Sequence, residues 1–127
     1  MERRLLIVDD EDTILFAMRE YFSLHGFVVD CARQGRTALA LLEKNRYAVV
    51  IADLCLRGSQ DTEGLVVADE VRERWPSTFV ILLTAYGSPQ IEVEALARGV
   101  DAVLHKPHPL SDIARLVFDQ CGRTREA

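Results

Sequence analysis

Five side chains of this sequence are poorly explained by packing alone: Asp9, Asp10, Asp53, Thr84 and Lys106. They supply three carboxylates, one hydroxyl and one ammonium. Three carboxylates crowded into a small site repel one another unless a cation joins them. A hard divalent ion with oxygen ligands removes the conflict. Magnesium fits best, because it typically binds through one or two carboxylates plus phosphate and water. Lys106 is a compact charge suited to a phosphate oxygen, and Thr84 adds a hydroxyl donor. A metal, a cation and a donor around a nucleophilic carboxylate make a phosphoryl-transfer site. Asp53 is the expected nucleophile and an aspartyl phosphate the expected product.

The elements that must position these groups are short apolar runs. Leu5-Leu6-Ile7-Val8 runs into Asp9-Asp10-Glu11-Asp12, and Tyr47 to Asp53 ends on its carboxylate. Phe79 to Thr84 ends on its hydroxyl, and Ala102 to His105 is followed by Lys106-Pro107. The runs are rich in β-branched residues and do not alternate with polar ones, so both faces should be covered, as in buried parallel strands. Phe27 to Cys31 is a further short strand.

Helices are predicted between them. Thr13 to His25 places Ile14, Met18, Tyr21 and Phe22 near one face, with Gly26 just past its end and Glu11 and Asp12 suited to its start. Gly35 to Lys44 points Ala38, Leu41 and Leu42 inward. Leu65 to Arg74 points Leu65, Ala68 and Val71 inward, and Pro76 stops it. Ser88-Pro89 opens a fourth helix that closes at Gly99. Leu110 to Cys121 is the last, with Leu110, Ile113, Leu116 and Val117 inward and a polar tail from Gly122 to Ala127.

Five alternating strand–helix units imply a single-domain, doubly wound α/β sandwich over residues 1–127. Right-handed crossovers put helices on both faces of a five-stranded parallel sheet. The expected order is 2-1-3-4-5, the flavodoxin-like winding, with its site at the carboxyl edge where the first and third strands meet. Five polar groups from four strands would converge there.

With those pieces in order, the chain resembles a response-regulator receiver domain of two-component signalling, CheY-like in fold, over essentially its whole length. The resemblance rests on Leu6-Ile7-Val8-Asp9-Asp10-Glu11, the run into Asp53, Leu82-Leu83-Thr84-Ala85 and His105-Lys106-Pro107. It implies that Asp53 accepts phosphate from a phosphohistidine on a sensor histidine kinase or histidine phosphotransfer protein. It implies a magnesium site of Asp9, Asp10, Asp53 and the backbone carbonyl of Cys55. It implies that Thr84 and Lys106 bind the phosphate, that small Ala85 leaves it room, and that the Lys106-Pro107 bond is cis. Signalling would pass to a downstream effector protein through the fourth helix, fifth strand and fifth helix, with a homodimer as one form. Catalysis would be limited to the chain's own phosphorylation and dephosphorylation.

The sequence departs from the family pattern in three places. Val103 stands where the family has a Tyr or Phe that swings inward when Thr84 moves, and a valine has no ring to swing. Activation is then expected in the loop after Thr84 or in the last helix. Leu56-Arg57 replaces the usual Met-Pro, and Gly64 comes about three residues late, in a loop where insertions are tolerated. Cys55 and Tyr86 occupy the positions that tune autodephosphorylation. Neither can orient an attacking water, and Tyr86 is bulky enough to cover a phosphate, so slow decay is expected.

Composition agrees with this reading. The 127 residues suit one domain and can bury roughly two-thirds of the unfolded chain's surface. A net charge of -5 argues against direct nucleic-acid binding, which needs a basic face. Three widely spaced cysteines favour a reducing, cytoplasmic setting, with Cys55 a structural thiol. No apolar run is long enough for a membrane span, and the early acids exclude a signal peptide. His105 and His108 have zinc-like spacing but no neighbouring Cys or Asp to complete a site.

Three rival functions follow: a stand-alone receiver, a receiver taken from a longer DNA-binding or enzymatic regulator, and a haloacid-dehalogenase-type phosphatase. Asp10-Glu11-Asp12-Thr13-Ile14 has the second Asp of the last family's motif but not its following Thr/Val. No P-loop or dinucleotide glycine pattern occurs.

Overall fold

A computed structural model describes residues 3–54, 63–85 and 89–126. The elements in chain order are β1 (Arg3–Val8), α1 (Asp12–Leu24), β2 (Phe27–Ala32), α2 (Gly35–Lys44), β3 (Val49–Asp53), α3 (Glu63–Arg74), β4 (Phe79–Thr84), α4 (Pro89–Ala97), β5 (Ala102–His105) and α5 (Leu110–Glu126). The sheet is parallel throughout, in the order β2-β1-β3-β4-β5. The expected winding is therefore the observed one.

The unbroken apolar runs are explained by two separate cores. Leu5, Ile7, Val49, Ile51, Ile81 and Leu83 pack with residues of α1 and α5, including Met18, Phe22, Ile113 and Val117. Their neighbours Leu6, Val8, Val50, Ala52, Val80 and Leu82 pack with residues of α2, α3 and α4, including Ala38, Leu42, Val71 and Ala95. Successive strand residues point to opposite faces, so covering both faces makes every position apolar.

Register then fixes the carboxyl edge. Val8 lies opposite Ala52, so Asp9 and Asp53 leave the central strands side by side. Thr84 lies opposite His105, so Lys106 emerges beside Thr84, and its N–H donates to the Thr84 carbonyl at 2.8 Å.

The place of Tyr47, the end of the last helix and the buried face of α1 differ from expectation. Tyr47 precedes β3 rather than forming it. It is nonetheless buried, donating its hydroxyl to Asp30 at 2.6 Å while its carbonyl accepts from Thr78 Oγ1 at 2.6 Å. The last helix does not stop at Cys121 but runs to Glu126. Gly122 lowers helix propensity by about 1 kcal/mol without ending a helix, and no proline follows it. In α1, Leu15 is buried with Met18 and Phe22, while Ile14 and Tyr21 are only partly buried. Gly26, at φ +91°, ends that helix as expected.

Candidate functional site

Each acid reaches the site for a local reason. Asp9 follows β1 and is 1% exposed, held by its N–H to the Ala32 carbonyl at 3.0 Å. Its Oδ1 accepts the Glu11 N–H at 2.9 Å, which satisfies one donor at the start of α1. Asp53 closes β3 and is 7% exposed. Asp10, half-buried, completes a group in which one oxygen from each of Asp9, Asp10 and Asp53 lies within 4.8 Å of the others.

Lys106 draws this group together. Its Nζ donates to Asp9 Oδ2 at 2.9 Å, to Asp53 Oδ2 at 3.0 Å and to Glu11 Oε1 at 3.4 Å. The Lys106 side chain is 13% exposed. Burial alone would favour loss of its proton, but the bonds to Asp9 and Asp53 outweigh burial and raise its pKa above the ordinary lysine value. Lys106 is therefore a fixed positive charge. The peptide bond to Pro107 is cis.

Thr84 is buried at the end of β4, in the strand next to Asp53. Ala85, which follows it, is exposed. Of the five residues read from the sequence, Asp9, Asp10, Asp53 and Lys106 meet directly around one point, and Thr84 flanks them. Cys55, Leu56, Arg57, Tyr86 and Ser88 lie outside the described residues, so the expectations placed on them stay expectations. Val103 is partly buried on β5 and packs against the α2–α4 core.

Two residues take parts that the sequence reading did not give them. Glu11 was expected only to favour the start of α1. It is the N-cap residue but makes no side-chain cap bond, and its carboxylate turns to Lys106 instead. Its place directly after Asp9-Asp10 is the signal that points to it. Gly64, near the start of α3, donates its N–H to the Leu54 carbonyl at 2.9 Å. A Cβ there would stand 2.5 Å from the Asp53 carbonyl oxygen and 2.8 Å from Leu54 Cα. Whatever the length of the loop before it, this residue must be a glycine for α3 to approach β3.

The donor set fits a hard cation: three carboxylates, all oxygen, two of them buried, with one ammonium to offset them. His105 does not join it. Its Nε2 lies 3.2 Å from Glu92 Oε2 on α4, and neither histidine belongs to a metal-capable group among the described residues. Cys31 and Cys121 are free thiols whose pKa values burial pushes up, so they are poor nucleophiles. No helix among the described residues is long and apolar enough to cross a membrane.

Comparison with known proteins gives one consistent answer. The family model for the response regulator receiver domain matches residues 5–118. The regulatory protein AtoC of Escherichia coli is 37% identical over 114 residues, covering 90% of this chain and 24% of that protein. The transcriptional regulatory protein SrrA of Staphylococcus aureus is 36% identical over 125 residues, covering 98% of this chain and 50% of that protein. The chain thus spans a quarter to a half of the length of these curated relatives. Among solved structures, the receiver domain of the Francisella response regulator 1452 has a TM-score of 0.83 at 27% identity, covering 97% of this chain and 99% of that one.

Proposed function

The chain belongs to the response regulator receiver domain family, and on that premise we propose that it carries a phosphoryl group on Asp53 and signals by changing its protein contacts. The single observation behind this reading is the position of Lys106 Nζ, 3.0 Å from Asp53 within a cluster of three carboxylates.

In the proposed reaction an oxygen of Asp53 attacks the phosphorus of a phosphohistidine on a sensor histidine kinase or a histidine phosphotransfer protein. The new O–P bond forms as the N–P bond breaks, and the electron pair stays on the departing imidazole. Lys106 turns from the Asp53 carboxylate to an oxygen of the transferred group, and the Thr84 hydroxyl donates to another. Asp9, Asp10 and Asp53, with the Cys55 carbonyl, would hold magnesium, which when bound neutralises part of the charge on carboxylate and phosphate. The carboxylates repel an incoming phosphate, so without such a cation the transfer would be slow.

Partners follow from the same chemistry: a histidine-phosphorylated donor, and an effector that distinguishes the two charge states of residue 53. A cytoplasmic setting suits such partners. The curated relatives are two to four times longer than this chain, which supports an effector joined to a receiver in the same protein.

The test is incubation of the purified protein with acetyl phosphate and magnesium chloride, followed by intact mass measurement. One phosphoryl group should be added per chain and none to Asp53→Asn. Continuous hydrolysis of a generic phosphate ester would point instead to a phosphatase. The adduct should decay slowly, as Cys55 and Tyr86 imply, and a lifetime of seconds would sink that part.

A further inference from the structure

Glu11 opens α1 with its backbone and leaves its side chain for something else. Its N–H donates to Asp9 Oδ1 at 2.9 Å, and its carbonyl accepts from the Ile14 and Leu15 N–H groups at 3.1 Å each. Its side chain makes no cap bond, so none of the bonds that begin the helix uses the carboxylate. That carboxylate lies 3.4 Å from Lys106 Nζ instead.

The three acids on Lys106 are not equivalent. The Asp9 side chain is 2% exposed and 2.9 Å away, and that of Asp53 is 9% exposed and 3.0 Å away. The Glu11 side chain is 57% exposed, and its contact is the longest. Water and salt screen it most, so it is the contact that Lys106 gives up at least cost. The phosphoryl reading asks Lys106 to leave its resting place for an oxygen of the incoming group. A carboxylate on the exposed side of the ammonium opposes that move.

We propose that Glu11 is a positioning residue: it restrains Lys106 in the unphosphorylated protein and is displaced from it when the phosphoryl group arrives. It acts through Lys106, and its effect is negative, so the native side chain slows phosphorylation. Reach matters as well as charge. Aspartate at this position keeps the charge but is one methylene shorter, and from the same backbone it ends short of Nζ. This inference rests on the phosphoryl-transfer reading.

The test compares wild type, Glu11→Gln and Glu11→Asp. Acetyl phosphate and magnesium chloride are added, and the initial rate of phosphoryl addition is followed by intact mass. Both variants should react about twofold to fivefold faster than wild type, the worth of a partly exposed ion pair. The gain should shrink as potassium chloride is raised to about 1 M, because salt screens the contact being removed. A merely structural Glu11 predicts the opposite sign, since a loosened start of α1 would slow the reaction, and it predicts no such salt dependence. Rates equal to or below wild type in Glu11→Gln would overturn the proposal. So would a gain in Glu11→Gln with none in Glu11→Asp, because charge alone would then be acting and not the contact with Lys106. In those cases wild type still takes its phosphoryl group and the phosphoryl-transfer reading stands. A wild type that takes none removes that reading and this inference together.

Discussion

Lys106 Nζ stands 3.0 Å from Asp53 Oδ2, across 53 positions of sequence. The pairing exists because β3 and β5 flank β4 in a parallel sheet, so Asp53 at the end of β3 and Lys106 just past the end of β5 meet at one edge. A single ammonium has three N–H donors, and all three are spent on carboxylates here. The positive charge still falls short of the negative charge it faces, and that shortfall is what a metal ion would meet.

Magnesium should therefore stabilise the fold as well as serve the chemistry. At ten times its dissociation constant it should add about 1.4 kcal/mol. For a domain of this size that is a rise in Tm of about 5 °C, readable by circular dichroism against an EDTA control. Asp10→Asn should remove most of the rise, because it deletes one charged ligand from the cluster. An equal rise in wild type and Asp10→Asn would place the metal elsewhere.

Tyr47 and Lys106 set the alkaline limit. Burial, followed by the hydroxyl bond to Asp30, raises the Tyr47 pKa above its ordinary 10.0, and Lys106 is raised above its ordinary 10.5. In both cases the folded state holds its proton more tightly than the unfolded one. Their contribution to stability is complete below those ordinary values and is lost as pH rises through the folded ones. Stability should fall from about pH 10 upward. Tyr47→Phe loses a bond to a charged acceptor and should cost about 2 kcal/mol at neutral pH, with a shallower alkaline decline. Urea unfolding at pH 7 and above pH 10 measures both.

The fold was legible because its strands are buried on both sides. Runs such as Val49-Val50-Ile51 and Leu5-Leu6-Ile7-Val8 have no other stable home than a covered parallel sheet. The cluster of Asp9, Asp10, Asp53 and Lys106 was legible for a related reason, since each residue ends or follows such a run and the winding order brings the ends together. What escaped depends on side-chain direction or on contacts made at a distance. Tyr47 has the type of a strand residue, and only its tertiary bonds to Asp30 and Thr78 make it an anchor ahead of β3. Glu11 begins α1 as its type suggests, but its carboxylate turns to Lys106 rather than capping the helix. The continuation of α5 past Cys121 turns on a glycine that weakens a helix without ending it.

Val103 predicts a restricted switch. It is a short side chain, paired in register with Leu82 and packed against the α2–α4 core. A β-branched side chain has few rotamers to exchange, so it cannot report the phosphoryl state by swinging. Beryllofluoride with magnesium should shift the amide signals of Ala85 and of residues in α5 while the Val103 methyl signals hold still. Unmoved signals at all of these, with unchanged effector binding, would mean that the domain has no phosphorylation switch.

Gly64→Ala should damage the site without touching any of its polar groups. The added methyl would meet the Asp53 carbonyl oxygen at 2.5 Å and Leu54 Cα at 2.8 Å, and both are backbone atoms with nowhere to retreat. Either α3 moves away from β3, opening the contact that buries Leu65 and Ala68, or the end of β3 moves and carries Asp53 with it. The first outcome is an overpacking cost of about 1–3 kcal/mol. The second displaces the carboxylate that is the nucleophile of the proposed reaction, and a shift of about 1 Å can slow a positioned reaction 100-fold. Gly64→Ala should therefore lower both the urea midpoint and the rate of phosphorylation by acetyl phosphate. Gly26→Ala serves as the control: it carries its own penalty at φ +91°, but nothing lies within 4 Å of its added methyl. It should cost stability while leaving the phosphorylation rate near wild type, and a loss of rate at Gly64 no greater than at Gly26 would remove α3 from the positioning of Asp53.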